Sequence, residues 1–413
     1  MTKINQIKQN IKNRDPKTVY YLVVFLQNLA MSMMVTSYVL FLYSKGLDPL
    51  QANLINAVFM IGNFFFEVPT GVYADYFGRK KSIMLFFLVW GIAHFIYFFS
   101  NSLQGFIIAE LIAALGITFI TGALDAWLVD SVSEGEYVGK VDYILSQAQV
   151  YGKTAFVLGG LIGGYLATIN LAAPFLAEGF VSLFGLVFTL IFVKEDFIKP
   201  QAVNLKQGFI DTKNIVKDSL KFIVKEPTVK WLTIITMISW FAFQPLNMFW
   251  SPRFTNLGQV DTSVMGWAWV AFSLSLMLGS YLIKRFTQTK QSYQKMAYLT
   301  FILLGIPVII SGLLPIFLPS LTFFIIYELG RGMEKPFMSI YLNRYIPSDK
   351  RATLLSFNGM LGRFGAALGL IVFGFLGKAI GFSSTWIISG FLLLTIIPIF
   401  YLKFCLPASG WEL

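Results

Sequence analysis

The chain reads as an all-α membrane protein: twelve transmembrane helices in two pseudo-symmetric six-helix bundles. Three observations predict this. Of 413 residues, 56% are apolar and only 13% charged, about half the charge of an ordinary soluble domain, and mean hydropathy is positive. Apolar stretches near the ~20 residues needed to cross a bilayer recur along the sequence. Finally, a repeat at an offset of 210 residues relates its two halves.

The expected spans are 19–43, 50–73, 82–100, 104–129, 144–168, 172–193, 230–250, 262–283, 296–314, 320–343, 352–376 and 383–402. The polar, basic start "MTKINQIKQNIKNRDPK" is unlike a cleaved secretory signal. With both termini cytoplasmic, Lys and Arg concentrate on inner loops, while the outer loops hold Lys45, Arg253 and Lys378. The net charge of +11 is therefore topological, and no nucleic-acid partner is expected.

In the repeat, "LSQAQVYGKTAFVLGGLIGGYL" (145–166) lines up with "LSFNGMLGRFGAALGLIVFGFL" (355–376), pairing Lys153 with Arg363. Gly122 likewise meets Gly332. The bundles are expected at 1–193 and 230–413, joined by a basic cytoplasmic linker at 194–229. Within it, Leu205, Phe209, Val216, Leu220 and Ile223 share an apolar face of an amphipathic helix.

Between spans two and three lies "GVYADYFGRKKS" (71–82). It resembles the loop pattern G-x-x-x-D-[RK]-x-G-[RK]-[RK] of the major facilitator superfamily. Gly71, Asp75, Gly78, Arg79 and Lys80 match, and Tyr76 replaces a basic residue. Gly71 permits close helix contact and Gly78 a tight turn. Asp75 suits a helix N-terminus, which the resemblance places near Pro347–Ala352 at the start of span eleven. Arg79 is expected to pair with Asp130, completing a cytoplasmic gate.

Charges at membrane depth cost ~2.5–3.5 kcal/mol each on insertion scales, so they face the interior or a cavity. "YELGRGMEKP" (327–336) places Glu328, Arg331, Glu334 and Lys335 in span ten, at helical spacings of three and four. Pro315 and Pro319 disfavour the competing reading of 308–327 as a single span ending before these charges. The resemblance implies that helices one, four, seven and ten line a cavity, with Asp125 of span four near Lys335. Lys153 and Arg363 add symmetry-related cations. Gln27, Asn28, Gln244, Asn247 and Trp240 are read either as ligand contacts or as packing groups, and Trp250 as a further stacking surface. Glu67 is assigned to the inner latch, while Glu110 is a further acid at membrane depth. Glu178 is placed near the outer surface without a function, and His94, the chain's one histidine, is read as a core or interface residue.

One Cys and one His exclude a disulfide framework and a Cys/His metal cluster. No Walker A sequence, cofactor motif or nucleophile–base arrangement is present, so neither a cofactor nor an enzyme is expected. Exporters of the superfamily often carry G-x-x-x-G-P-x-x-G-G on helix five; "LGGLIGG" (158–164) matches its end, with Gly160 replacing the proline. The resemblance implies a monomeric secondary transporter of the cytoplasmic membrane, with proton-coupled efflux of a small molecule as the leading reading. Its alternatives are proton-coupled import of a polar or anionic nutrient, and a transport-silent receptor or scaffold.

Overall fold

The computed structural model describes residues 15–132, 139–194, 217–286, 290–346 and 351–404. These are helical almost throughout, with no strand among them. In chain order the helices are α1 Pro16–Ala30, α2 Tyr38–Ser44, α3 Pro49–Phe77, α4 Arg79–Phe99, α5 Leu103–Ile120, α6 Ala123–Ser131, α7 Val141–Ile169 and α8 Ala173–Phe192. There follow α9 Pro227–Gly258, α10 Thr262–Phe286, α11 Lys290–Leu313, α12 Phe317–Tyr345, α13 Arg351–Leu394 and α14 Ile396–Phe404.

Among the described residues, ten stretches are long and apolar enough to span a membrane. One of them, Leu354–Lys403, is 50 residues long and contains Gly381 at φ 81° within α13. A straight helix of that length would reach ~75 Å at 1.5 Å per residue, against a hydrocarbon core of ~30 Å. It therefore supplies two crossings. The helix α12, with its charges in mid-span, supplies the twelfth. "YELGRGMEKP" lies inside this helix. The turn falls earlier, between Leu313 and Phe317, around Pro315.

Two compact units emerge. One holds the described residues of Met1–Phe41 and Gly62–Asp211; the other holds those of Leu42–Ile61 and Thr212–Leu413. In the first, α1 packs on α7, and α4 on α5 and α8. In the second, α9 packs on α13, and α11 on α12 and α13. The same pairing thus recurs, and glycine makes it possible in both. A Cβ on Gly159 or Gly163 of α7 would collide with Ser32 or with the Met33 carbonyl. On α13, one on Gly365 or Gly369 would collide with Met237 or Phe241 backbone. Gly122 and Gly332 behave differently: Gly122 (φ 76°) is the N-cap of α6 at a break in span four, whereas Gly332 packs against Leu276 backbone.

The first span is not continuous. After Ala30 the α-helix gives way to a 3₁₀ turn, Met33–Thr36. Local hydroxyls compete with the helix here: Ser32 Oγ donates to the Leu29 carbonyl and Ser37 Oγ to that of Met34.

Arg253 departs from its expected outer loop. It lies within α9, 7% exposed. Its guanidinium donates to the carbonyls of Ser311 (2.6 Å), Gly312 and Leu314 at the end of α11 and to the hydroxyls of Ser320 and Ser383. Unpaired C-terminal carbonyls carry the negative end of the helix dipole, so they replace water around the cation. Close packing expected at Gly71 is also absent, since a Cβ there would meet nothing within 4 Å. In the linker, 195–216 lies outside the described residues; 217–225 is helical, with Ile223 buried and Leu220 exposed.

Asp48 caps α3 through a reciprocal box: its carboxylate accepts from the Gln51 amide (2.9 Å), and Gln51 Oε1 accepts from the Asp48 amide (3.0 Å). Lys378 Nζ lies 2.7 Å from the same carboxylate. Within this unit the Asn53 side chain also donates to the Leu370 carbonyl.

Two outcomes test this packing. Gly163→Ala places a methyl 1.7 Å from the Met33 carbonyl oxygen, so it should destabilise by about 1–3 kcal/mol; Gly71→Ala should not. Thermal unfolding in detergent compares them, and equal midpoints would contradict the fit. Burial works against the Asp48 charge, but Lys378 and the Gln51 and Leu50 amides outweigh it and hold the carboxyl below its usual 3.8. This contribution is complete above the unfolded-state value and is lost as pH falls through the lower folded one. Lys378→Met should remove up to about 1 kcal/mol of it, visible as a lower unfolding midpoint than wild type above roughly pH 5, with the two proteins converging as pH falls through the folded value.

Candidate functional site

In the first unit, Gly78 adopts φ 104° and serves as N-cap of α4, a backbone that favours glycine. Arg79 follows at once, and its Nε lies 3.0 Å from Asp130 Oδ2 at the end of α6. The pair is partly solvated, at 22% and 38% side-chain exposure, so it acts as a positional tie more than a source of stability. Asp75 is exposed in the last turn of α3. Residues 347–350 of its expected partner stretch lie outside the described residues.

Asp125, in the first turn of α6, accepts a 2.5 Å hydrogen bond from the Tyr20 hydroxyl of α1. Lys153 is exposed on α7. Asn28 Nδ2 donates to the Val24 carbonyl (2.8 Å) and packs on Gly152. Gln27 Nε2 approaches the Met31 sulfur at 4.0 Å.

In the second unit, α12 gathers its charges as the spacing requires. Glu328 is 4% exposed and Glu334 6%. Arg331 Nη1 lies 3.2 Å from Glu328 Oε1, and its guanidinium sits 5.5 Å from the Phe243 ring centroid. Glu334 draws on the same guanidinium and faces Ser239 of α9. Lys335 departs from this group and is exposed, because position 335 lies one residue further round the helix from Glu334. Gln244 is buried and donates to the Trp240 carbonyl one turn back (2.8 Å). Its side chain fills the space left by Gly369, and Trp240 that left by Gly362. Asn247 and Arg363 are half-buried. Trp250, 5% exposed, stacks on Trp269 inside the core.

A second polar group lies in the first unit, among residues read separately from sequence. His94 of α4 and Glu178 of α8 are buried and 2.8 Å apart. Glu110 of α5 accepts from Tyr38 (3.1 Å) and Tyr97 (2.8 Å). An ionisable residue in each of three apolar spans was the available signal; only the packing of α4 against both α5 and α8 shows that they converge.

Residues 20–369 match the Major Facilitator Superfamily. The uncharacterized MFS-type transporter YxaM of Bacillus subtilis (strain 168) is 28% identical over 391 residues, spanning 92% of this chain and 94% of its own. Multidrug resistance protein 2 of the same organism is 21% identical over 368 residues, 87% and 90% of the two chains. Among solved structures, a mutant of the nucleoside transporter NupG superposes with a TM-score of 0.78 at 14% identity, covering 94% of this chain and all of that one. The helical pairing, the sequence motif at 71–80 and a match running from the first span into the eleventh agree: the chain is a multi-pass membrane protein that belongs to the Major Facilitator Superfamily.

Proposed function

We propose that this transporter exports small organic molecules by alternating access, driven by protons moving inward, as a monomer in the cytoplasmic membrane with both termini inside. One observation carries the coupling. Two buried acids, Glu328 and Glu334, draw on the one Arg331 guanidinium, and exposed Lys335 adds only a lesser attraction on Glu334. An acid left without a full counter-charge in apolar surroundings has to be met by a proton or by a cationic cargo. Exchange of those two at one carboxylate is antiport. Export is supported by the likeness to a multidrug resistance protein over most of both chains and by the glycines of α7 at 159, 163 and 164. Arg331, with 32% of its side chain exposed, favours a second reading, uptake of an anionic nutrient.

Flux into proteoliposomes separates the readings by sign. Under antiport an acidic lumen drives accumulation of compounds from a panel of aromatic cations and metabolites; under symport an acidic exterior does so. Glu334→Gln should cut gradient-driven accumulation by more than about tenfold while ligand affinity changes far less. Accumulation indifferent to the pH gradient, for every compound transported, would overturn the coupled reading.

A further inference from the structure

We propose that His94 and Glu178 hold one exchangeable proton inside the first unit, at a site that also fastens the break in the first span. It is separate from the acids of α12 and does not depend on the direction of transport.

The geometry leaves few alternatives. His94 Nδ1 lies 2.8 Å from the Trp90 carbonyl oxygen, which can only accept, so Nδ1 carries a hydrogen. A neutral ring then presents a bare lone pair at Nε2. That atom faces Glu178 Oε2 at 2.8 Å, and neither atom has another hydrogen-bond partner. The side chains are 1% and 0% exposed. A bare nitrogen and an ionised carboxylate at this distance, both out of water, repel one another. The pair becomes coherent when one proton sits on it, as imidazolium with carboxylate or as imidazole with carboxylic acid.

The surroundings make that proton consequential. Facing the pair are the titratable groups Tyr38 of α2, Tyr97 of α4 and Glu110 of α5. Both tyrosine hydroxyls donate to Glu110, a second buried acid in the electrostatic surroundings of His94. The rings of Trp90 and Phe175 flank the imidazole at centroid distances of 4.7 and 6.2 Å. The other Glu178 oxygen accepts from the Met34 amide at 3.0 Å, inside the 3₁₀ turn Met33–Thr36. An ionised carboxylate holds that amide more strongly than a carboxylic acid does. Taking up a proton from water, or returning it, therefore changes the hold on the first span where its helix is interrupted.

Because His94 is the chain's one histidine, ¹⁵N-histidine labelling of the full chain, purified without a histidine tag and placed in lipid nanodiscs, reports this site alone. Over about pH 5 to 9, the range in which a histidine titrates, the wild-type imidazole signal should change with pH. In Glu178→Gln, which keeps the oxygen facing Met34, the midpoint should be displaced by at least about one unit, a tenfold change in proton affinity. A wild-type signal that is invariant with pH would overturn the proposal without any variant being needed. An identical titration in wild type and Glu178→Gln would overturn it equally.

Discussion

A charge taken out of water has to find its partners within the protein, and this constraint shapes each polar group in an otherwise apolar bundle. Arg253 meets it with the carbonyl ends of α11 and the hydroxyls of Ser320 and Ser383. Arg331 and Glu328 meet it with one another, one helical turn apart. His94 and Glu178 meet it across two helices at 2.8 Å. These solutions differ in kind. Carbonyl groups around Arg253 are fixed by the fold and cannot change their charge. Carboxylates can, so only the acid-containing groups are able to exchange a proton while remaining buried.

Glycine supplies the complementary constraint, since helices that lock charges in place must first approach closely. On both α7 and α13 the glycines face the first helix of their own repeat. In the first unit that contact falls on Ser32 and Met33, the residues where the first span abandons α-helical geometry. Interruption, glycine seam and Glu178 therefore converge on one short stretch. A helix broken there bends at lower cost than a continuous one.

The fold was legible in the sequence because span length, positive-inside charge and the 210-residue repeat are properties of the chain itself. Even α12, with four charges in its middle, was recoverable from Pro315 and from the pairing of Gly122 with Gly332. Less legible was anything decided by neighbours distant in sequence. Arg253 looks like a loop charge until the end of α11 is placed beside it. Gly71 looks like a packing glycine, yet open space surrounds it. Spacing alone grouped Glu328, Arg331 and Glu334, since three residues apart on one helix is a local fact. No spacing relates His94, Glu110 and Glu178, which sit in three spans and meet only through tertiary packing.

Buried ion pairs are often no better for stability than apolar residues of similar volume, which is why the charges of α12 are proposed to serve transport. Joint replacement of Glu328 by Gln, Arg331 by Met and Glu334 by Gln tests this most directly, with unfolding and gradient-driven flux measured on one reconstituted preparation. The expected result is a melting temperature equal to or above that of the wild type, with flux abolished. A protein that loses its stability but still transports in response to the gradient would contradict it.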